Sequence, residues 1–152
     1  MEHGALLELD NQLCFALYAC AREVTKLYRP YLDELGITYT QYVTLLALWE
    51  KDGVPVKELG TRLYLDSGTL TPLLKKLEGM DLIRRERDPG DERSVIVRLT
   101  EQGRELKTRA MTIPERVYCQ YSMPLEEIAQ LRDQLRKLTA AVHEQSCGPA
   151  QP

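Results

Sequence analysis

Between residues 54 and 99 the chain passes through two short helical patterns and then a paired-strand pattern, and few folds accept that order. "VPVKELGTRLYLD" reads as a short helix and a break. "DSGTLTPLLKKLEGMDLI" reads as a second helix, opened by Asp66 or Ser67 and closed near Gly79. In "LIRRERDPGDERSVIVRLT" the period changes from helical to alternating around the turn "DPGDE", which predicts a β-hairpin. Two short helices followed by a hairpin make a winged helix-turn-helix, a reader of duplex DNA.

Longer helical patterns flank this middle. Residues 6–29 place Leu6, Leu9, Leu13, Leu17, Val24, Leu27 and Tyr28 at helical spacing. Pro30 is expected to kink or end that helix, and "YLDEL" adds a further turn stopped at Gly36. Thr38 or Thr40 caps a helix to about Lys51, built on Tyr42, Leu45, Leu46 and Trp49, and "KDGVP" is a turn. Thr100 opens another helix to about Tyr121. "SMPLEEIAQLRDQLRKLTAAV" is a final amphipathic helix with Ser122 and Pro124 at its start, and "SCGPAQP" is a frayed tail. The expected fold is mainly α with a small β-hairpin, one domain over 1–152. In it a winged helix at about 54–99 lies between dimerisation helices at about 6–35 and 100–145. A two-fold homodimer is what palindromic operator DNA demands.

The length suits one compact domain with a dimerising extension. A composition 43% hydrophobic and 28% charged excludes global disorder. The acidic "MEHGALLELDN" has no basic segment ahead of an apolar one, so no signal peptide is expected. No run of about 18 apolar residues occurs, so no membrane span is expected and the expected location is the cytoplasm. Cys14, Cys20, Cys119 and Cys147 form no C-x-x-C pair, and His3 and His143 lack ligand spacing. Neither a disulfide framework nor a metal or other cofactor is therefore expected. The net charge of −3 excludes a broadly basic nucleic-acid binder but leaves room for a local footprint. Residues 54–98 hold nine Lys and Arg against eight Asp and Glu, the remainder eleven against fifteen.

Ser67, Thr69 and Thr71 crowd the first turns of the second short helix. Short hydroxyl side chains let such a helix approach base edges and let backbone N–H groups face phosphates. Lys75 and Lys76 follow as phosphate or base contacts, and Leu70, Leu73, Leu74 and Leu77 form the buried stripe. Pro72 should distort the helix if Asp66 is the cap and is tolerated if Gly68 or Thr69 is. At the hairpin tip, "DPGDER" puts Arg93 where a guanidinium enters a neighbouring minor groove, with Asp91 to hold its direction.

"DSGTLTPLLKKLEGMDLIRRERDPGDERSVIVRLTEQG", with its "LIRR" strand, D-x-R wing and "LTEQG" helix entry, resembles the MarR family of dimeric winged-helix regulators. "LCFALYACAREVTKLYRPYLDELGITYTQYVTLLALWE" is similar to its organic-hydroperoxide-resistance branch, and the likeness covers roughly residues 7–140. The resemblance implies a repressor whose Cys14 is oxidised by organic hydroperoxides, after which operator DNA is released. It implies that Tyr28 and Tyr39 offer hydroxyls to that thiol. For the two-cysteine form it implies that Cys119 resolves the oxidised sulfur. It also places Ser67, Thr69, Thr71 and Lys75 on the recognition helix, and Asp91 and Arg93 on the wing.

Helix geometry adds a constraint. Along an unbroken helix Tyr28 lies roughly 21 Å beyond Cys14, and Tyr39 follows the far end of the same helix. Tyrosines that meet this thiol therefore come from a partner subunit. Asp10 as the helix start would put Cys14 near the positive end of the dipole, but the pattern from Leu6 speaks against it. Cys20 lies about 9 Å further along and leans to another face, which suits packing rather than a disulfide with Cys14. Cys147, in the tail, reacts only incidentally. No basic residue lies within a turn of Cys14, Arg22 being two turns away, which speaks against a thiol peroxidase. The residues also accommodate a regulator released by a small phenolic or aromatic ligand, or a purely structural dimerisation module.

Overall fold

The protein is described by a computed structural model over residues 4–148. Two 3-10 turns, Ala5–Leu7 and Leu9–Asn11, lead into α1 (Leu13–Leu35) and α2 (Tyr39–Glu50). Then come β1 (Val54–Pro55), α3 (Val56–Leu63), α4 (Ser67–Gly79), β2 (Ile83–Asp88) and β3 (Asp91–Leu99). α5 (Glu101–Ala110), α6 (Ile113–Tyr118) and α7 (Leu125–Cys147) complete the described chain. One compact unit ends at Pro114 and a second begins at Glu115.

The first helix begins at Leu13, not at Leu6 as its apolar spacing suggested. The side-chain amide of Gln12 donates to the carbonyls of Leu6 (2.5 Å) and Glu8 (3.1 Å), and that of Asn11 donates to Ala5 (2.9 Å). These bonds satisfy carbonyls that a continuous helix would have used, so the polar pair ends the leader. Nor does Pro30 end α1. Its ring leaves the Lys26 carbonyl without a helical donor, but Tyr28 and Leu32 on either side are buried and hold the helix in place. The stop is Gly36, at φ +70°, with its N–H on Asp33 and that of Ile37 on Leu32. Thr38, rather than Thr40, then caps α2 through a reciprocal capping box with Gln41.

The core of the first unit is leucine-rich. Leu45 and Leu48 of α2, Leu59 of α3, and Leu70, Leu74 and Leu77 of α4 are essentially inaccessible, as are Ile83 and Val97 of the sheet. Burying each contributes roughly 1.5–3 kcal/mol. The sheet is antiparallel in the order β1-β3-β2. β1 is a strand that the sequence pattern does not reveal: Val54 and Pro55 pair with Val97 and Ile96. A two-residue strand carries too little alternation to be seen, and a proline is tolerated because the strand is an edge. In the hairpin Ile83 faces Leu99 and Arg85 faces Val97, with a register shift at Arg87/Asp88 near the tip.

The hairpin is fastened at its base. Thr100 caps α5 by accepting from the Gly103 amide (3.0 Å) and donates its own hydroxyl to the Asp81 carbonyl (2.5 Å). Gly103 passes directly beneath the Leu82 carbonyl, where a Cβ would collide with backbone. Trp49 of α2 donates its indole N–H to the Gly103 carbonyl (2.8 Å), and Asp52 accepts from the Leu99 amide (2.8 Å). At the same C-terminal end of α4, the Glu78 carboxylate accepts from the Arg85 amide (2.9 Å), Nη2 (3.0 Å) and Nε (3.4 Å). The Arg85 guanidinium and amide hold that carboxyl below the ordinary glutamate value of 4.5, against the opposing effect of partial burial.

The single helix expected from Thr100 to about Tyr121 is two. Pro114 cannot donate to the Ala110 carbonyl and its ring clashes there, so α5 stops at Ala110 and α6 starts at Ile113. In the second unit, α7 begins one residue after Pro124 and closes on Ser146 and Cys147, which were expected to be frayed. The rest of that tail from residue 149, and His3, lie outside the described residues. No described helix is long and apolar enough to cross a membrane. Among the described residues no group of three or more His, Cys, Asp or Glu could hold a metal ion.

Both fastenings can be tested by mutation. Gly103→Ala should destabilise the fold by about 2–4 kcal/mol in urea unfolding, because the added methyl meets backbone that cannot step aside. A carboxylate whose folded pKa is depressed stabilises fully above its unfolded value and loses that contribution as pH falls through the folded value. Stability of the wild type should therefore decline more steeply below pH 4.5 than that of Glu78→Gln, read as unfolding midpoints across acid pH. Parallel declines would show that the pair contributes nothing.

Candidate DNA interface and thiol site

Asp66 is the cap of α4: its side chain accepts from the Thr69 amide at 2.8 Å. The sequence left Asp66 and Ser67 open as caps and expected Pro72 to suit only a later one. Pro72 instead sits inside the helix, and its cost is one carbonyl, that of Gly68, left without a helical donor. Gly68 is exposed, so water or a polar partner reaches that oxygen. The amides of Ser67 and Gly68, in the first turn, also lack helical acceptors. Ser67, Thr69, Lys75 and Lys76 are exposed and Thr71 is half-buried, while Leu70, Leu74 and Leu77 turn inward. One face of α4 thus packs, and the opposite face offers hydroxyls, free amides and two ammonium groups.

At the wing tip the expected geometry needs correction. The sequence suggests that Asp91 holds the Arg93 guanidinium, but its carboxylate accepts from the Arg93 backbone amide at 3.0 Å. It shapes the turn, as Asp88 does by accepting from Gly90 at 2.9 Å, and Arg93 stays exposed. Among the described residues, nine of the twenty lysines and arginines pair with carboxylates, including Lys26 with Glu23, Lys51 with Glu58, Arg62 with Glu50, Arg98 with Glu86 and Arg104 with Asp52. Lys75 and Lys76 of α4 and Arg84, Arg87 and Arg93 of the wing have no such carboxylate among the described residues. Unpaired cations are what a polyanion attracts, since no internal partner must first be displaced. Arg84 and Arg87 were missed as candidates. The run "LIRRER" was their signal, but a sequence does not show that Arg85 is tied to Glu78 while its neighbours are free.

Cys14 is the second residue of α1 and is exposed. The later helix start therefore places it in the first turn, contrary to the expectation from the Leu6 pattern. There the amides of Leu13, Cys14 and Phe15 lack helical acceptors, and the dipole favours a negative charge. Arg22, two turns on, lies over the Tyr18 ring at 5.4 Å and is not at the thiol. Tyr28 and Tyr39 come together, with ring centroids 5.2 Å apart and Tyr42 completing the cluster at 5.8 and 6.4 Å. Because α1 is unbroken between them, the cluster stands roughly 21 Å along the helix from Cys14 of the same chain. Cys20 is exposed on α1. In the second unit Cys119 follows the last residue of α6 and is exposed, and Cys147 lies 3.5 Å from His143 Nε2. All four cysteines are free thiols.

A family model described as the transcriptional regulator SarA/Rot matches residues 26–110. The organic hydroperoxide resistance transcriptional regulator of Bacillus subtilis is 49% identical over 140 residues, which span 92% of this chain and 95% of that protein. Reduced AbfR bound to DNA superposes with a TM-score of 0.76 at 33% identity, covering 95% of this chain and all of that one. The disulfide form of AbfR superposes with a TM-score of 0.62 at 34% identity over 90% of this chain and 92% of that one. The exposed face of α4, the cation-rich wing and the exposed first-turn thiol thus sit in a fold shared with transcriptional regulators. The chain belongs to the MarR-type family of winged-helix transcriptional regulators, on the branch of the organic hydroperoxide resistance regulators.

Proposed function

We propose that the chain is a repressor that holds operator DNA as a homodimer in the cytoplasm and releases it when an organic hydroperoxide oxidises Cys14. The observation that carries this reading is the division of the sensor along α1. The thiol stands exposed at one end of a rigid helix, and the paired Tyr28 and Tyr39 rings stand at the other. Two chains related by a two-fold axis, with their α1 helices antiparallel, bring each thiol to the other's tyrosines. Each sensor is then half of an interface. The exposed apolar surface supports such a dimer: Leu7 is 88% accessible, Leu13 59% and Tyr18 61%, and α7 buries none of its residues. Residues 6–35 and 100–145 are the dimerisation frame on this reading, and 54–99 the reading head.

In the reduced dimer, Ser67, Thr69, Thr71, Lys75 and Lys76 of each α4 meet the major groove, and Arg93 of each wing, turned by Asp91, meets the adjacent minor groove. On exposure to peroxide the Cys14 thiolate attacks one oxygen of the O–O bond. A sulfur–oxygen bond forms, the sulfur becomes a sulfenic acid, and the peroxide leaves reduced to its alcohol. The Cys119 thiol of the second copy then attacks that sulfur. The disulfide forms and water departs.

DNA binding of the wild type and Cys14→Ser, before and after tert-butyl hydroperoxide, tests the reading. Wild-type affinity should drop about ten- to a hundredfold on oxidation, while the variant holds its DNA. A Cys14→Ser protein still released by the peroxide would instead favour a regulator that answers a small ligand. Cys119→Ser should abolish the peroxide-induced crosslinked dimer on a non-reducing gel, and a persisting crosslink would remove Cys119 from the resolving role.

A further inference from the structure

Three arginines stand within four residues at the start of the wing, and one of them behaves unlike its neighbours. Arg84 and Arg87 are exposed and have no carboxylate partner among the described residues. Arg85 is drawn down onto the penultimate residue of α4, with only a quarter of its side chain accessible. Glu78 takes three N–H donors from this single residue: the backbone amide at 2.9 Å, Nη2 at 3.0 Å and Nε at 3.4 Å. The amide bond ties the carboxylate to the strand itself. The forked guanidinium contacts set the direction of approach, because a planar donor pair meets a carboxylate in one plane.

We infer that the Glu78–Arg85 pair is a positioning clamp that sets the angle between the recognition helix and the wing, and so the spacing between their two DNA contacts. The inference rests on the DNA-reading assignment of α4 and the hairpin. A winged helix has to place α4 in one groove and the hairpin tip in the next at the same time, so a small rotation between them costs one contact or the other. The link from α4 to β2 is short, running from Met80 to Leu82 with Asp81 at φ +57°. The buried leucines of α4 contribute packing that has no preferred direction, and backbone bonds from Asp81 and Leu82 to Glu78 and Leu77 hold only the junction itself. The three bonds to the Glu78 carboxylate reach beyond that junction into β2 and fix a direction between helix and strand. Arg85 also faces Val97 across the hairpin, which carries the constraint into β3 and towards Arg93.

Glu78→Gln separates this role from a purely electrostatic one. It keeps every cation of the interface and removes one negative charge, so electrostatics alone would strengthen DNA binding. The probe is a duplex enriched by the wild-type chain from random-sequence DNA, with Glu78→Gln, Arg85→Ala and the double variant compared at a temperature where circular dichroism shows all to be folded. The expected result is a loss of about tenfold in affinity for Glu78→Gln. Hydroxyl-radical protection should vanish at the outer minor-groove positions, while guanine N7 protection in the major groove remains. The double variant should be no weaker than the weaker single one, as for a pair acting as a unit. Unchanged or tighter binding by Glu78→Gln would overturn the clamp, as would protection lost evenly at both grooves or additive losses. If the wild type enriches no duplex at all, the DNA assignment falls and the clamp with it.

Discussion

The backbone of α5 passes under the Leu82 carbonyl at Gly103 so closely that no side chain fits between them, and the hairpin is fastened at that approach. Thr100 and Trp49 bond to the same few atoms, so the end of α4, the base of the wing, α2 and α5 meet in one small region. α5 reaches onward from there, because Arg109 donates to the Glu34 carbonyl at the end of α1 (3.1 Å). The end of α1 is where Tyr28 packs against Tyr39 and Tyr42. The end of α1 that carries the tyrosine cluster and the base of the hairpin are thus both bonded to the same helix, α5.

A second constraint is the length of α1. A straight helix is the stiffest spacer a chain of this size can make, and this one survives its internal proline because burial at Tyr28 and Leu32 outweighs one lost hydrogen bond. It holds the thiol and the tyrosines apart within one chain. On the proposed reading, a sensor that needs both is completed between chains, and the exposed leucines and aromatics of the N-terminal segment and the exposed α7 are the surface available for that contact.

The winged helix-turn-helix was legible because three local signals agreed: an N-cap aspartate, a leucine stripe and an alternating hairpin around a Pro-Gly turn. The resemblance supplied the chemistry of Cys14, which no spacing in the chain gives. Where local reading went astray, a competing local bond or a proline was responsible. Asn11 and Gln12 took carbonyls that the apolar pattern had assigned to a helix, Pro114 cut a helix read as continuous, and Asp91 found a backbone amide before a guanidinium.

By itself the sequence determined the order of the elements around residues 54–99, the leucines that face inward and the hydroxyls and lysines that face out, because these follow from periodicity and capping over a few turns. Only the tertiary structure decided which cations are free. Arg84, Arg85 and Arg87 are equivalent in a string, and a carboxylate seven residues before Arg85 becomes its neighbour only when α4 packs on β2. Local side-chain bonds of Asn11 and Gln12, invisible to the apolar pattern, placed Cys14 in the first turn of its helix, and the packing of α1 on α2 set the tyrosines side by side. A helix start is settled by competing hydrogen bonds, and a ring pair by two elements meeting, and neither is written in a single periodicity.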